Sequence, residues 1–209
     1  MIRHVAALLA LLLPALPVDG SQNTGPAHDL ERVRLTLTPD GNVARYRVRE
    51  QLARVNFPSD AIGSTSGLSG ALVLGDDGRV VATESKITVD VTGLKSDRDR
   101  RDGFVQHRTI ETDRFPTVEL VPIKLNGLPW PLPSSGKFDF ELQGNLTVHG
   151  ATHSTLWKVS AEARDGGFTG TASTSFTFAD FGLEKPQVMM VLSVDDTIHL
   201  EYDFHLRRE

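Results

Sequence analysis

Apolar and polar positions alternate with a period of two along most of the chain. Val33, Leu35 and Leu37 are separated by charged or hydroxyl residues, and Tyr46, Val48 and Leu52 follow the same rule. The apolar run of residues 72–74 stops at Asp76-Asp77-Gly78, which suits a hairpin turn because glycine takes positive φ without steric cost. Val80 and Val81 are expected to begin the return strand. Ile87, Val89 and Val91 alternate with Lys86, Thr88 and Asp90, and the pattern resumes at Val118 and Leu120, at Phe138, Phe140 and Leu142, and at Leu146 and Val148. Trp157, Val159, Ala161 and Ala163 precede the turn Asp165-Gly166-Gly167, after which Phe168, Ala172, Thr174, Phe176 and Phe178 form another face. Ile198, Leu200, Tyr202, Phe204 and Leu206 close the chain. Successive side chains on a strand point to opposite faces, so each segment carries one apolar and one polar face. About eight to ten such strands joined by short turns predict an all-β antiparallel domain, either a sandwich or a closed barrel.

Two segments break the rhythm. Ser96, with Asp99 three positions on, has the spacing of an N-cap and capping box, and residues 98–108 lack strand alternation, which predicts one short helix. Residues 126–136 carry Pro129, Pro131 and Pro133 and are expected to form a long connection that turns Leu128, Trp130 and Leu132 outward.

Candidate chemistry is sparse. His149 and His153 would share a face on a helix, but Gly150 between two strands makes the segment a turn, so no metal site is expected there. Gly63-Ser64-Thr65-Ser66-Gly67 resembles a nucleophile elbow only in spacing, because no helical pattern follows it. With no carboxylate pair, triad or metal cluster in evidence, the protein is expected not to be an enzyme and to need no cofactor. The densest charge run is Ser96-Asp97-Arg98-Asp99-Arg100-Arg101-Asp102. Mixed signs at this spacing describe a solvated helix start, or an arginine turned inward to a head group or a buried acid, with Arg101 and Asp102 the candidates. The apolar faces fill a core or enclose a ligand, and alternation does not distinguish the two.

The first residues change the picture of location. Arg3 and His4 precede an unbroken apolar run over residues 5–13, then Pro14 and Pro17, the layout of a secretory signal peptide too short to span the roughly 30 Å of a bilayer. The expected organisation is a signal peptide over residues 1–20, a polar linker over 21–32 and one domain over 33–209, exported to the periplasm or beyond without an integral membrane anchor. The chain holds no cysteine among its 209 residues, which removes disulfides, thiolate metal sites and a lipidated N-terminal cysteine together. A formal net charge of -5 argues against nucleic acid as a partner.

Three ordered segments carry a resemblance. Gly144-Asn145-Leu146-Thr147-Val148-His149-Gly150-Ala151-Thr152, the pair Arg101-Asp102 with Thr112-Asp113-Arg114-Phe115-Pro116 behind it, and Asp180-Phe181-Gly182-Leu183 resemble motifs of the YceI-like, polyisoprenoid-binding family. The resemblance implies a lipocalin-like antiparallel barrel of about eight strands with one short helix and an apolar tunnel. It implies a long-chain isoprenoid or similar amphiphilic lipid as the partner, held without chemistry. Inward candidates for contact, taken from the apolar phase of their strands, are Phe138, Phe140, Val148, Phe176, Phe178, Tyr202 and Phe204, with Arg101 and Asp102 at the mouth. The rival expectation is a cell-envelope interaction or stress-response protein with a side-chain-filled barrel and Trp130 on its contact surface. Oligomeric state, a homodimer included, is left open.

Overall fold

The computed structural model describes residues 32–209, so the expected signal peptide and nearly all of the linker lie outside the described residues. Eleven strands form in chain order: β1 Val33–Leu37, β2 Val43–Leu52, β3 Ser59–Thr65, β4 Leu68–Leu74, β5 Lys86–Asp90, β6 Lys95–Ser96, β7 Thr117–Asn126, β8 Gly136–Val148, β9 Ala151–Arg164, β10 Gly167–Thr177 and β11 Val191–Arg208. Every pairing is antiparallel. Eight strands in the order β1-β4-β5-β7-β8-β9-β10-β11 close into a ring through β1 and β11. The expected barrel is therefore the observed one, and closure leaves the ring no free edge.

The seam is shared along β11. Its last residues pair with β1, and residues 191–203 pair with β2, which carries β3 and the short β6 beside it. The break between β1 and β2 is bridged by Asn42, which is buried: its Nδ2 donates to the Thr38 carbonyl at 2.6 Å and its Oδ1 accepts the His205 amide at 2.8 Å. Gly41 beside it has φ 88°, and a β-carbon there would come within 2.4 Å of the His205 ring, so both conformation and space call for glycine.

The interior divides into two cores. At the end where β1 closes the ring, Val33, Leu35, Leu72, Leu74, Ala163 and Phe168 are buried together, with Phe138 and Leu206 packed on them. The other core holds Val48, Val89, Val118, Val148, Trp157, Phe176 and Tyr202. The helix forms over α1 Asp99–Phe104 and continues as a π-helical turn, Val105–Thr109. It starts after Arg98, and Ser96 does not cap it, because the Ser96 hydroxyl donates to Asp102 Oδ1 at 2.6 Å instead. Asp180 and Phe181 of the Asp-Phe-Gly-Leu segment end a 3₁₀ turn, Phe178–Phe181, which has a Thr177/Asp180 capping box and is closed by left-handed Gly182.

Two expectations are corrected. Val80 and Val81 do not start a strand: Val80 makes a lone bridge to Leu74, Val81 donates to the Val73 carbonyl, and Ser85 Oγ accepts the Val73 amide at 2.9 Å. A side-chain hydroxyl thus replaces the backbone partner that a return strand would supply, and β5 begins only at Lys86. In the proline-rich connection Leu128 and Leu132 turn inward onto the closed core, where their apolar surface is taken from water. Trp130 lies across the Asp76-Asp77-Gly78 turn and donates its indole N–H to the Asp76 carbonyl at 3.0 Å.

Candidate functional site

A cavity of about 800 Å³ opens at the end of the barrel away from the closed core. Much of its wall is built from small and β-branched inward residues, among them Ala44 and Val48 of β2, Ala61 of β3, Val89 of β5, Val118 of β7 and Val148 of β8. The reason is volume. Small inward side chains leave space that the surrounding strands enclose, with Phe176 and Phe178 also lining it, whereas toward the closed end aromatic rings meet one another and the space closes. Phe138 and Phe140 stack with centroids 6.1 Å apart, Phe138 meets Phe168 edge-on at 6.1 Å, and the Phe204 ring lies over Gly170, where a β-carbon would come within 2.8 Å of it. Tyr202 stands between the two regimes, buried and stacked on Trp157 at 5.0 Å.

Of the candidate contact residues, Val148, Phe176, Phe178, Tyr202 and Arg101 line the cavity. Phe138, Phe140 and Phe204 face inward but pack in or beside the filled end, and Asp102 is buried outside the lining. Ala44, Ala61, Val89, Val118 and Ile198 also line it. A run of small side chains on the inward phase was the available signal for them, since a hollow forms where side-chain volume is missing rather than where it is greatest.

The mouth is polar on one side and apolar on the other. Arg101, projected by α1, turns inward and its Nη2 lies 2.5 Å from Oε1 of Glu50, a carboxylate buried near the end of β2; its Nη1 also pairs with Asp97. Of the two roles open to an arginine in the charge run, the structure has the one that meets a buried acid. Asp102 accepts the Ser96 amide at 2.8 Å and hydroxyl at 2.6 Å, which pins the corner between β6 and α1. Tyr46 lies beside this cluster, and burial, against the opposing pull of Arg101, pushes its phenol up to about 12. On the apolar side Met189, 96% exposed, and Met190 line the opening; Leu192 and, in the loop after β2, Phe57 also face solvent. The Ala53 amide donates to the Met190 carbonyl and ties these two loops together.

His149 and His153 diverge across their turn. His149 has φ 50°, sits 2.6 Å from Glu111 Oε2 and lies edge-on to Phe115, whereas His153 lies against Phe181. Among the described residues no three His, Cys, Asp or Glu side chains gather as a metal site, and no helix is long and apolar enough to cross a membrane. The Ser66-Gly67 corner joins β3 to β4 with no helix after it.

Solved structures share this architecture at low identity. A polyisoprenoid binding domain from Saccharophagus degradans, implicated in plant cell wall breakdown, superposes with a TM-score of 0.63 at 12% identity, covering 85% of this chain and 98% of that one. BcnA of Burkholderia cenocepacia gives 0.56 at 12% identity over 81% and 98%. The YCEI protein of Campylobacter jejuni gives 0.53 at 14% identity over 76% and 90%. No curated protein matches the sequence. The family model of the YceI-like domain matches residues 37–206, from the end of β1 to the closing stretch of β11. Cavity and mouth fall inside that span, as does the filled end apart from Val33 and Leu35, and the chain belongs to the YceI-like domain family.

Proposed function

We infer that the protein binds a long-chain isoprenoid or related amphiphilic lipid in the open half of the barrel and performs no covalent chemistry on it. The observation that carries this reading is the cavity itself: about 800 Å³, lined chiefly by aliphatic and aromatic side chains and open at one end. That volume falls in the range of ligand pockets, roughly 300 to 1,000 Å³, and an apolar void of this kind favours hydrocarbon over water. Each methylene taken from water contributes about 0.8 kcal/mol, so a chain of some fifteen to twenty carbons offsets the association cost with affinity to spare. The polar end of an amphiphile finds Tyr46, Arg101 and Glu50 at the mouth. The likeness to a domain described as polyisoprenoid binding supports the same class of ligand.

Export to the periplasm or beyond through cleavage near residue 20 belongs to this proposal and is motivated by the apolar run after Arg3. Mass spectrometry of an organic extract of protein purified from its native source tests the ligand, and the intact mass of the same sample tests the cleavage. A prenyl or comparably long lipid at near-stoichiometric level, on a chain lacking its leader, is the expected result. A lipid-free sample that also fails to take up prenyl alcohols would overturn the binding reading, and a retained Met1 would overturn export.

A further inference from the structure

The ring encloses both a hollow and a plug, and the boundary between them sets a length. Along β2 the wall climbs from Ala44, paired with Tyr202 at the floor, to Leu52 at the rim. Eight positions at about 3.3 Å each, on a strand tilted by about 40° to the axis, make a depth of roughly 20 Å. An extended chain gains about 1.2 Å per backbone bond, so an isoprene unit of four backbone carbons spans about 5 Å and about four units fit the depth. Volume is consistent: at roughly 30 Å³ per non-hydrogen atom, the cavity holds about 27 such atoms, room for a prenyl alcohol of about four to five units.

Below the floor there is no continuation. Phe140 and Phe204 pack against the core that holds Tyr202, Phe138 stacks on Phe140, and Phe168, Leu128 and Leu132 complete the closed end. Resting on the binding reading above, we propose that this aromatic plug gauges ligand length. The preferred isoprenoid has about four units, and any further units of a longer one lie outside the mouth, along the exposed Met189 and Met190 at its rim. Phe140 is the specificity-determining residue: it is half-buried, on the inward phase of β8, and on the hydrogen-bonded row that runs through Val159 and Ala172 to Tyr202.

Pairwise competition among all-trans prenyl alcohols of three, four, six and eight units for the delipidated protein, read by native mass spectrometry, tests this directly. Four units should outcompete three by at least about tenfold, less than full burial of five more carbons would give. Six and eight units should then lie within about threefold of four, because their added carbons gain no closed wall. Phe140→Leu, which opens the floor while keeping an apolar filler, should favour six units over four by about threefold or more. Affinity climbing steadily from four to eight units in the wild type would overturn the gauge and leave the binding reading intact. So would a folded Phe140→Leu protein with unchanged preference. Should that variant not fold, Phe204→Leu takes its place with the same expected shift. Failure of every alcohol to bind would instead overturn the binding reading and the gauge with it.

Discussion

Arg101 and Glu50 meet at 2.5 Å where the apolar wall of the barrel gives way to solvent, and each is mostly screened from water, with side chains 13% and 9% exposed. Removing one member of such a pair strands the other. Glu50→Gln should therefore lower stability by about 2 to 3 kcal/mol, below the usual cost of breaking a buried pair because Asp97 still neutralises Arg101. Urea denaturation measures it, and a loss under about 0.5 kcal/mol would mean that the pair behaves as a surface one. The two tyrosines report on burial in a different way. Tyr46 is pushed up to about 12, and Tyr202, buried without a compensating charge, is pushed well above the ordinary value of 10. A raised folded value means that the folded state holds its protons longer, so this contribution is whole below pH 10 and is lost as pH rises from there towards 12. Absorbance at alkaline pH should show no tyrosinate at pH 10 while the protein is folded, followed by a rise that coincides with unfolding. A reversible tyrosinate signal from the folded protein at pH 10 would contradict the buried phenols.

At the scale of elements, the seam between β1 and β2 is the weakest point of the ring. β1 contributes only a short pairing to β11, and the chain then bends through Gly41 and Asn42 before β2 takes over the same edge. Asn42 satisfies the His205 amide and the Thr38 carbonyl in a place that water does not reach. Asn42→Ala leaves both without that partner and should cost about 1 to 3 kcal/mol, the usual penalty for an orphaned buried group. Hydrogen exchange should place the loss at the His205 amide and the β1–β11 pairing before it appears elsewhere; uniform loss of protection would show that the seam is not a local unit. The 3₁₀ turn after β10 responds to acid. Asp180 is held below the ordinary aspartate value of 3.8 by the backbone and side chain of Thr177, so its stabilising effect is present above that value and disappears as pH falls through the lower folded one. Asp180→Asn should reduce the drop in unfolding temperature between pH 5 and pH 3, and an unchanged drop would show that the capping box contributes nothing there.

For the molecule as a whole, the two halves of the interior should answer mutation differently. Phe168→Ala empties a site in the filled end and should cost about 3 to 5 kcal/mol. Val118→Ala removes atoms from a wall that already faces a hollow, and should cost only about 1 to 2 kcal/mol, near the transfer value of the carbons lost. Chemical denaturation of both variants compares them, and equal costs would argue that the open half is packed as tightly as the closed one. Ligand adds to this contrast: a prenyl alcohol held at a hundredfold over its Kd should stabilise the folded barrel by about 2.7 kcal/mol, and by nothing if it does not enter.

Much of this was legible in the chain before any coordinates. Alternation placed the strand faces, Asp165-Gly166-Gly167 and His149-Gly150 marked turns that form, and the break in rhythm after Ser96 marked the helix, because each is a property of neighbours a few residues apart. What depended on distant partners was not legible. Ser85 replaces a strand at Val73, Asn42 answers His205, and Arg101 finds Glu50 fifty-one positions away. The same holds for the cavity. Period two states which side chains point inward, and it does so for Phe140 and Val148 alike; whether they meet a ring or a void depends on the volumes that the other strands bring to that level of the barrel. Local alternation is enough for an antiparallel domain with an apolar interior, whereas which end of that interior is hollow follows from the closing of the ring, because empty space is a sum over all the strands that enclose it and a property of none.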